Sequence, residues 1–153
     1  MVVSKIRNGT VIDHIEAGQA LNVARILKIS PKDKVLIAMN VFSEKYCKKD
    51  ILKIEDRELK GNEVELIALI SPRATINIIR DYEVVEKFEV KIPKRIRGLL
   101  RCSNPNCITN SGEPVNGSFT VVMERPLRLR CEYCERFLDE REVIEQLTGR
   151  EQA

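Results

Sequence analysis

The sequence predicts an α+β chain in two parts: an N-terminal ferredoxin-like βαββαβ sandwich with an extra strand over residues 1–93, and a small β-rich domain over residues 94–153. Three features carry that expectation. Short β-branched runs alternate with two helical stretches up to about Lys91, a polar, proline-marked joint follows at Ile92-Pro93-Lys94-Arg95, and four of the five cysteines fall in the last third. The charge chemistry changes at the same joint, with lysine dominating up to Lys94 and arginine the only Lys/Arg type after it.

The elements follow in order. Asn8-Gly9 is a turn signal, and the β-branched run from Thr10 to Ile15 reads as a strand. Residues 18–29 read as a helix with Leu21, Ala24 and Leu27 on one face, ended by Ser30-Pro31. Val35 to Phe42 reads as a buried strand. Lys49 to Glu55 reads as another, with Ile51 and Lys53 on one face and Leu52 and Ile54 on the other. A second helix opens at Gly61-Asn62, where Asn62 and Glu65 have capping-box spacing, and closes at Ser71-Pro72. Ala74 to Ile79 and Tyr82 to Val90 complete the strands, separated by Arg80-Asp81. Beyond the joint, β-prone runs lie around Phe119 to Met123 and Leu127 to Arg130. A last helix starts at Asp139, is capped through Glu142, and buries Val143, Ile144 and Leu147.

The bulk numbers exclude several classes. A hydrophobic fraction of 43% and a charged fraction of 32% suit a packed soluble protein, and no apolar run approaches the ~18 residues of a membrane span. Residues 1–15 lack the apolar core and cleavage site of a signal peptide, so a cytoplasmic location is expected. The net charge of +3 is mild, and the interleaving of both signs gives no strong electrostatic footprint for nucleic acid.

Cys102, Cys107, Cys131 and Cys134 form two close pairs, each able to turn two sulfurs toward a common centre across a long intervening loop. Four thiolates around one ion make the closed tetrahedral set of a structural Zn²⁺ site, which has no open position for activating water. Two disulfides would require an oxidising compartment that nothing here indicates. An iron centre shares the ligand set. The nearby Arg125, Arg128, Arg130 and Arg136 also admit a nucleic-acid-binding zinc ribbon, although Glu132, Glu135, Asp139 and Glu140 interrupt that basic face.

Cys47 stands among Lys45, Lys48 and Lys49, and reads as a small loop side chain more readily than as an activated thiol. His14 is the single histidine and has no nucleophile or acid partner in view. Neither phosphate-cradling glycine motif occurs, and Lys53 and Lys87 read as solvated strand lysines. The residues by themselves give an α+β domain and a zinc module with no visible active site.

A resemblance spanning nearly the whole chain adds to this reading. Gly9 to Ile15 (GTVIDHI), Lys49 to Glu55 (KDILKIE), Pro72 to Asn77 (PRATIN) and Asp81 to Lys87 (DYEVVEK), followed by CSNPNCI and CEYCE around the cysteines, occur in the order seen in aspartate carbamoyltransferase regulatory chains, which this sequence resembles. The resemblance implies a non-catalytic regulatory subunit, with an allosteric domain that binds CTP and ATP and a zinc domain that grips catalytic chains. It implies that a base sits near Ile6, Val11, Tyr82 and Val84, that Asp13 with Lys53 meets the ribose, and that Lys87 with His14 meets the triphosphate. Asn77 and Ile79 would line the same pocket, and Asn104, Asn106 and Glu135 would contact a catalytic chain. It further implies a regulatory-chain homodimer within a six-plus-six assembly, binding free nucleotides, with neither nucleic acid nor membrane as partner.

Overall fold

The computed structural model describes residues 5–149, so residues 1–4 and 150–153 of the two expected domains lie outside it. The chain divides into two compact units between Lys91 and Ile92.

Seven elements build the N-terminal unit: β1 (Gly9–Glu16), α1 (Ala20–Ile26), β2 (Val35–Ser43), β3 (Cys47–Glu55), α2 (Gly61–Ile70), β4 (Thr75–Arg80) and β5 (Glu83–Glu89). The strands form one antiparallel sheet in the order β2-β3-β1-β4-β5, the split βαβ arrangement with β5 as the added edge. Alternation along the strands assigns the faces: Ile12, Leu52, Ile54 and Ile76 are fully buried with Val23, Leu27 and Ile67 from the helices. The other face carries the intervening residues, and neither helix of this unit is placed on it, as antiparallel sheets allow.

Local chemistry sets the boundaries. The carboxylate of Asp50, fully buried in β3, accepts from the N–H groups of Gly18 (2.9 Å), Ala20 (3.0 Å) and Asn40 (2.7 Å), which fixes the start of α1 and a bulge in β2 from one point. Helix α1 is shorter than the expected 18–29, and it buries Ala20, Val23 and Ile26, with the C-cap residue Leu27 also buried, leaving Leu21 47% exposed. Helix α2 is capped two residues earlier than expected. Lys60, in extended conformation, is the N-cap, and its N–H donates to the Glu63 carboxylate at 3.0 Å, so Asn62 and Glu65 are ordinary helical positions. Glu63 also pairs with Arg57.

The C-terminal unit contains β6 (Arg95–Arg97), a 3₁₀ turn (Ile108–Asn110), β7 (Ser118–Glu124), β8 (Leu127–Cys131), β9 (Phe137–Asp139) and α3 (Glu140–Thr148). The strands pair antiparallel in sequence order. Ile96, Phe119, Leu127, Leu129, Leu138 and Val143 form its small core. Asp139 caps α3 as its sequence predicts, accepting the Glu142 N–H at 2.9 Å. Val143 is buried there, while Ile144 and Leu147 are only half-buried.

Candidate functional site

In the N-terminal unit the strand register gathers residues that are far apart in sequence. Val11 lies opposite Lys53 on β3 and opposite Asn77 on β4, and Asn77 lies opposite Lys87 on β5. Directly paired residues share a sheet face, so Lys53, Val11, Asn77 and Lys87 form one row across the helix-free face, about 14 Å long at the usual strand spacing. One row along, Asp13 faces Thr75, which faces Glu89. One row the other way, Gly9 faces Ile79, which faces Val84. Six of the ten residues expected to hold a nucleotide therefore stand in two neighbouring rows, with Asp13 beside them.

Of the remaining three, Ile6 and Tyr82 lie in loops and His14 lies in β1. Ile6 is buried, and with Lys53 it borders a cavity of about 150 Å³ that Lys5, Lys34 and Leu36 also line. Tyr82 is 60% exposed in the β4–β5 turn, where it and Asp81 both take positive φ, and its N–H donates to Arg7 O at 2.9 Å. Val84 is 55% exposed on the edge strand. His14 sits at a bulge of β1 with φ of 54° and bonds Thr75 Oγ1 through Nδ1 at 3.1 Å.

Charge on this face is organised around Asp13. Its Oδ1 accepts the His14 N–H at 2.7 Å and pairs with Lys49 Nζ at 3.0 Å, both side chains being mostly covered. Lys49 was not singled out from the sequence as a site residue. Its neighbours read as a lysine-rich hairpin, and only the bulge between Ile12 and Ile15 brings Asp13 within its reach. Lys53 is pulled in two directions: burial lowers its pKa, and attraction to Asp13 opposes that fall. A basic face with a half-covered lysine and an acid anchored by another lysine is chemically suited to a polyanionic ligand with hydroxyls. Its one hydroxyl seen beside a base among the described residues, Thr75 Oγ1 against His14 Nδ1, is buried rather than presented on the open face.

In the C-terminal unit the four cysteines converge so that all their sulfurs lie within 4.8 Å of one another. Cys102 and Cys134 are 3.4 Å apart, and Cys107 and Cys131 are 3.8 Å apart. Tetrahedral zinc with ~2.3 Å bonds requires about 3.8 Å between sulfurs, so the set fits one ion. Donors already point at the sulfurs: Asn104 N–H lies 3.5 Å from Cys102 Sγ and Thr109 Oγ1 lies 3.2 Å from Cys107 Sγ. Burial pushes the Cys102 thiol up to about 12 and raises Cys131 as well. Burial pushes Cys134 the same way, but the Arg136 N–H and side-chain hydrogen bonds from Cys102 and Asn104 outweigh it and bring that thiol down to about 7.

The structure adds supporting residues that spacing did not reveal. Glu132, inside the second cysteine pair, accepts from Arg95 Nε (2.9 Å), Ser118 Oγ (2.8 Å) and Thr120 Oγ1 (3.1 Å), tying that knuckle to β6 and β7. The Arg95 guanidinium first, then Ser118, holds the carboxyl down to about 2. Gln146 of α3 accepts the Arg101 N–H at 2.8 Å and donates to its carbonyl at 2.7 Å, clamping the segment that leads into Cys102. Of the expected contact residues, Asn104 is largely part of the knuckle, its Oδ1 accepting the Asn106 N–H at 3.0 Å and its backbone carbonyl accepting from Asn110. Asn106 and Glu135 are exposed, Glu135 with φ of 64°.

No helix among the described residues is long and apolar enough to cross a membrane. Comparison with known proteins gives two family matches in tandem. Residues 1–91 match the aspartate carbamoyltransferase regulatory chain, allosteric domain, and residues 94–144 match its metal binding domain. Proteins named aspartate carbamoyltransferase regulatory chain are similar over almost their full lengths. That of Methanothermobacter thermautotrophicus is 55% identical, covering 94% of this chain and 93% of its own. That of Metallosphaera sedula is 55% identical, covering 97% and 96%, and that of Saccharolobus islandicus is 54% identical, covering 96% and 94%.

Proposed function

Because the chain belongs to the aspartate carbamoyltransferase regulatory-chain family, we propose that its open sheet face is the effector site for free CTP and ATP. It is a regulatory, non-catalytic subunit whose partners are catalytic chains of that enzyme, in pyrimidine biosynthesis. The observation that carries the effector reading is the row Lys53–Val11–Asn77–Lys87, with Asp13 one row along. In this reading the base packs against Ile6, Val11, Ile79, Tyr82 and Val84, and Asp13 with Lys53 meets the ribose. Lys87, with His14 nearby, meets the phosphates. Lys49 joins this set by holding the Asp13 carboxylate in place.

The metal-binding unit is held by Cys102, Cys107, Cys131 and Cys134, a set consistent with one structural zinc. The ion supplies cross-linking of the two knuckles. The docking surface on catalytic chains is proposed beside them, through Asn104, Asn106 and Glu135. Pairing of two regulatory chains within a six-plus-six assembly is supported by edge strand β2, which exposes Leu36, Met39 and Phe42 (71% for Phe42). A cytoplasmic setting fits this role. The nucleotide acts by binding one quaternary state more tightly than the other, the only way a remote ligand shifts such an equilibrium.

The test is the aspartate saturation curve of the matching catalytic chain, with and without this protein and with and without CTP. The reading requires a curve that changes on adding the chain and moves again with CTP. A curve indifferent to CTP, together with salt-steep binding to DNA or RNA, would replace the effector reading with the nucleic-acid one.

A further inference from the structure

The end of the open face where Asp13 and His14 lie is overhung by the β2–β3 turn. Tyr46 in that turn is anchored by its N–H to Ser43 Oγ at 3.2 Å. Its ring meets the His14 ring edge-on, with centroids 5.9 Å apart. The Arg73 guanidinium stands 4.9 Å from the centre of the same ring and Lys45 Nζ stands 5.2 Å from it. Arg73 precedes β4, and Lys45 reaches Glu89 on β5 at 3.9 Å. A turn joining the two strands at one side of the sheet thus spans β1 and β4 and touches the opposite edge. It lies over the row Asp13–Thr75–Glu89, next to the row that holds Lys87.

Two cations at one aromatic ring repel each other, and at exposed sites the ring quadrupole compensates only in part. Lys45 and Glu89 are 59% and 72% exposed at the long edge of ion-pair distance, so that contact is weak and readily exchanged. Among the described residues Arg73 forms no ion pair. Lys49 and His14 add donors on the inner side. An anion with several acceptor oxygens satisfies this arrangement better than a single carboxylate does.

We propose that Lys45, Arg73 and the Tyr46 ring form a subsite for the terminal phosphate of a nucleoside triphosphate whose inner phosphates lie at Lys87. This rests on the effector reading above and extends it to residues outside the nucleotide set. Lys45 exchanges Glu89 for phosphate, and Tyr46 holds both cations at the height of the ligand. The subsite makes the length of the phosphate chain the property that is read.

The experiment is calorimetric titration of the full-length, zinc-loaded chain with CTP, CDP and CMP. The proteins are wild type, the double variant Lys45→Met/Arg73→Met, the single variant Lys45→Met, and Lys48→Met as a charge-matched control on the same hairpin. Wild type is expected to bind CTP at least about tenfold more tightly than CDP. The double variant is expected to bring the two within about threefold at unchanged CDP affinity, with an intermediate ratio for Lys45→Met and none of this change for Lys48→Met. Equal weakening of CTP and CDP would show a diffuse field and overturn the subsite alone, as would a ratio unmoved by the double variant. Absence of saturable binding of any of the three to wild type would overturn the effector reading and the subsite with it. Zinc content and unfolding midpoint, measured on each variant, keep loss of fold from imitating loss of binding.

Discussion

Removing the metal gives the sharpest number. Five cysteines are present and none is in a disulfide: Cys47 is exposed, Cys102, Cys107 and Cys131 are buried, and Cys134 is partly so. With an ion in place, one thiol per chain, Cys47, should react promptly with a thiol reagent, and the other four should be protected both by burial and by coordination. A structural zinc in a small domain contributes roughly 10–16 kcal/mol at neutral pH, whereas an apolar core of this size supplies no more than roughly 3–5 kcal/mol. Stripping the ion therefore leaves the C-terminal unit unfolded rather than loosened. The prompt thiol count should rise from one to five as one zinc per chain is released, in step with loss of the β6–β9 signal by circular dichroism. The N-terminal unit has its own core and should keep its unfolding transition. Four thiols still protected after complete metal removal would refute the reasoning, because the core would then stand without the ion. More than one prompt thiol in the metal-loaded chain would refute the ligand set.

Other outcomes follow from the same geometry. Gly9 has φ of 141°, and a Cβ there would meet Ile54 O at 2.1 Å, so Gly9→Ala should destabilise the N-terminal unit by well over the ~1 kcal/mol of a typical substitution, read by urea unfolding. Ile12→Ala, at a fully buried position, should cost about 2–5 kcal/mol in the same assay. Lys87→Met should weaken CTP binding about tenfold or more through loss of a charge-assisted contact, with no change in metal content. Burial lowers the Lys53 pKa, and a bound polyanion raises it again. Binding in alkaline buffer should therefore take up protons, and affinity should fall as pH rises through the depressed value, checked by titration in buffers of different ionisation heat.

The fold was legible where a short-range pattern and the tertiary demand coincide. Alternation in Lys49 to Glu55 put Leu52 and Ile54 on one face, and with Asp50 that face of β3 is the buried one. The cysteine spacing exposed the metal centre because four soft ligands in two tight pairs have few other uses. The missed features depend on partners distant in sequence. The start of α1 is set by Asp50, which accepts the Ala20 N–H from another strand, and the helix then buries Ala20, Val23 and Ile26 and leaves Leu21 exposed. Lys49 became a site residue only through a bulge, and Glu132 and Gln146 only through contacts to Arg95 and to the backbone of Arg101. The lysines of the open face carried no local signal at all. Their meaning lies in register: Lys53 and Lys87 are 34 positions apart in sequence, yet stand in one row.

The two units divide the work because their chemistry differs in kind. Four thiolates closing on one ion leave no coordination position for a substrate, so the metal can hold shape and an adjoining surface but cannot activate water. The helices of the other unit cover one side of its sheet, and the other side presents cations, an anchored carboxylate and apolar patches. Such a face can distinguish ligands by charge and length while leaving them chemically intact. Response to a ligand without turnover is what a regulatory subunit requires, and the face that the helices leave open is where the proposed effector would be read.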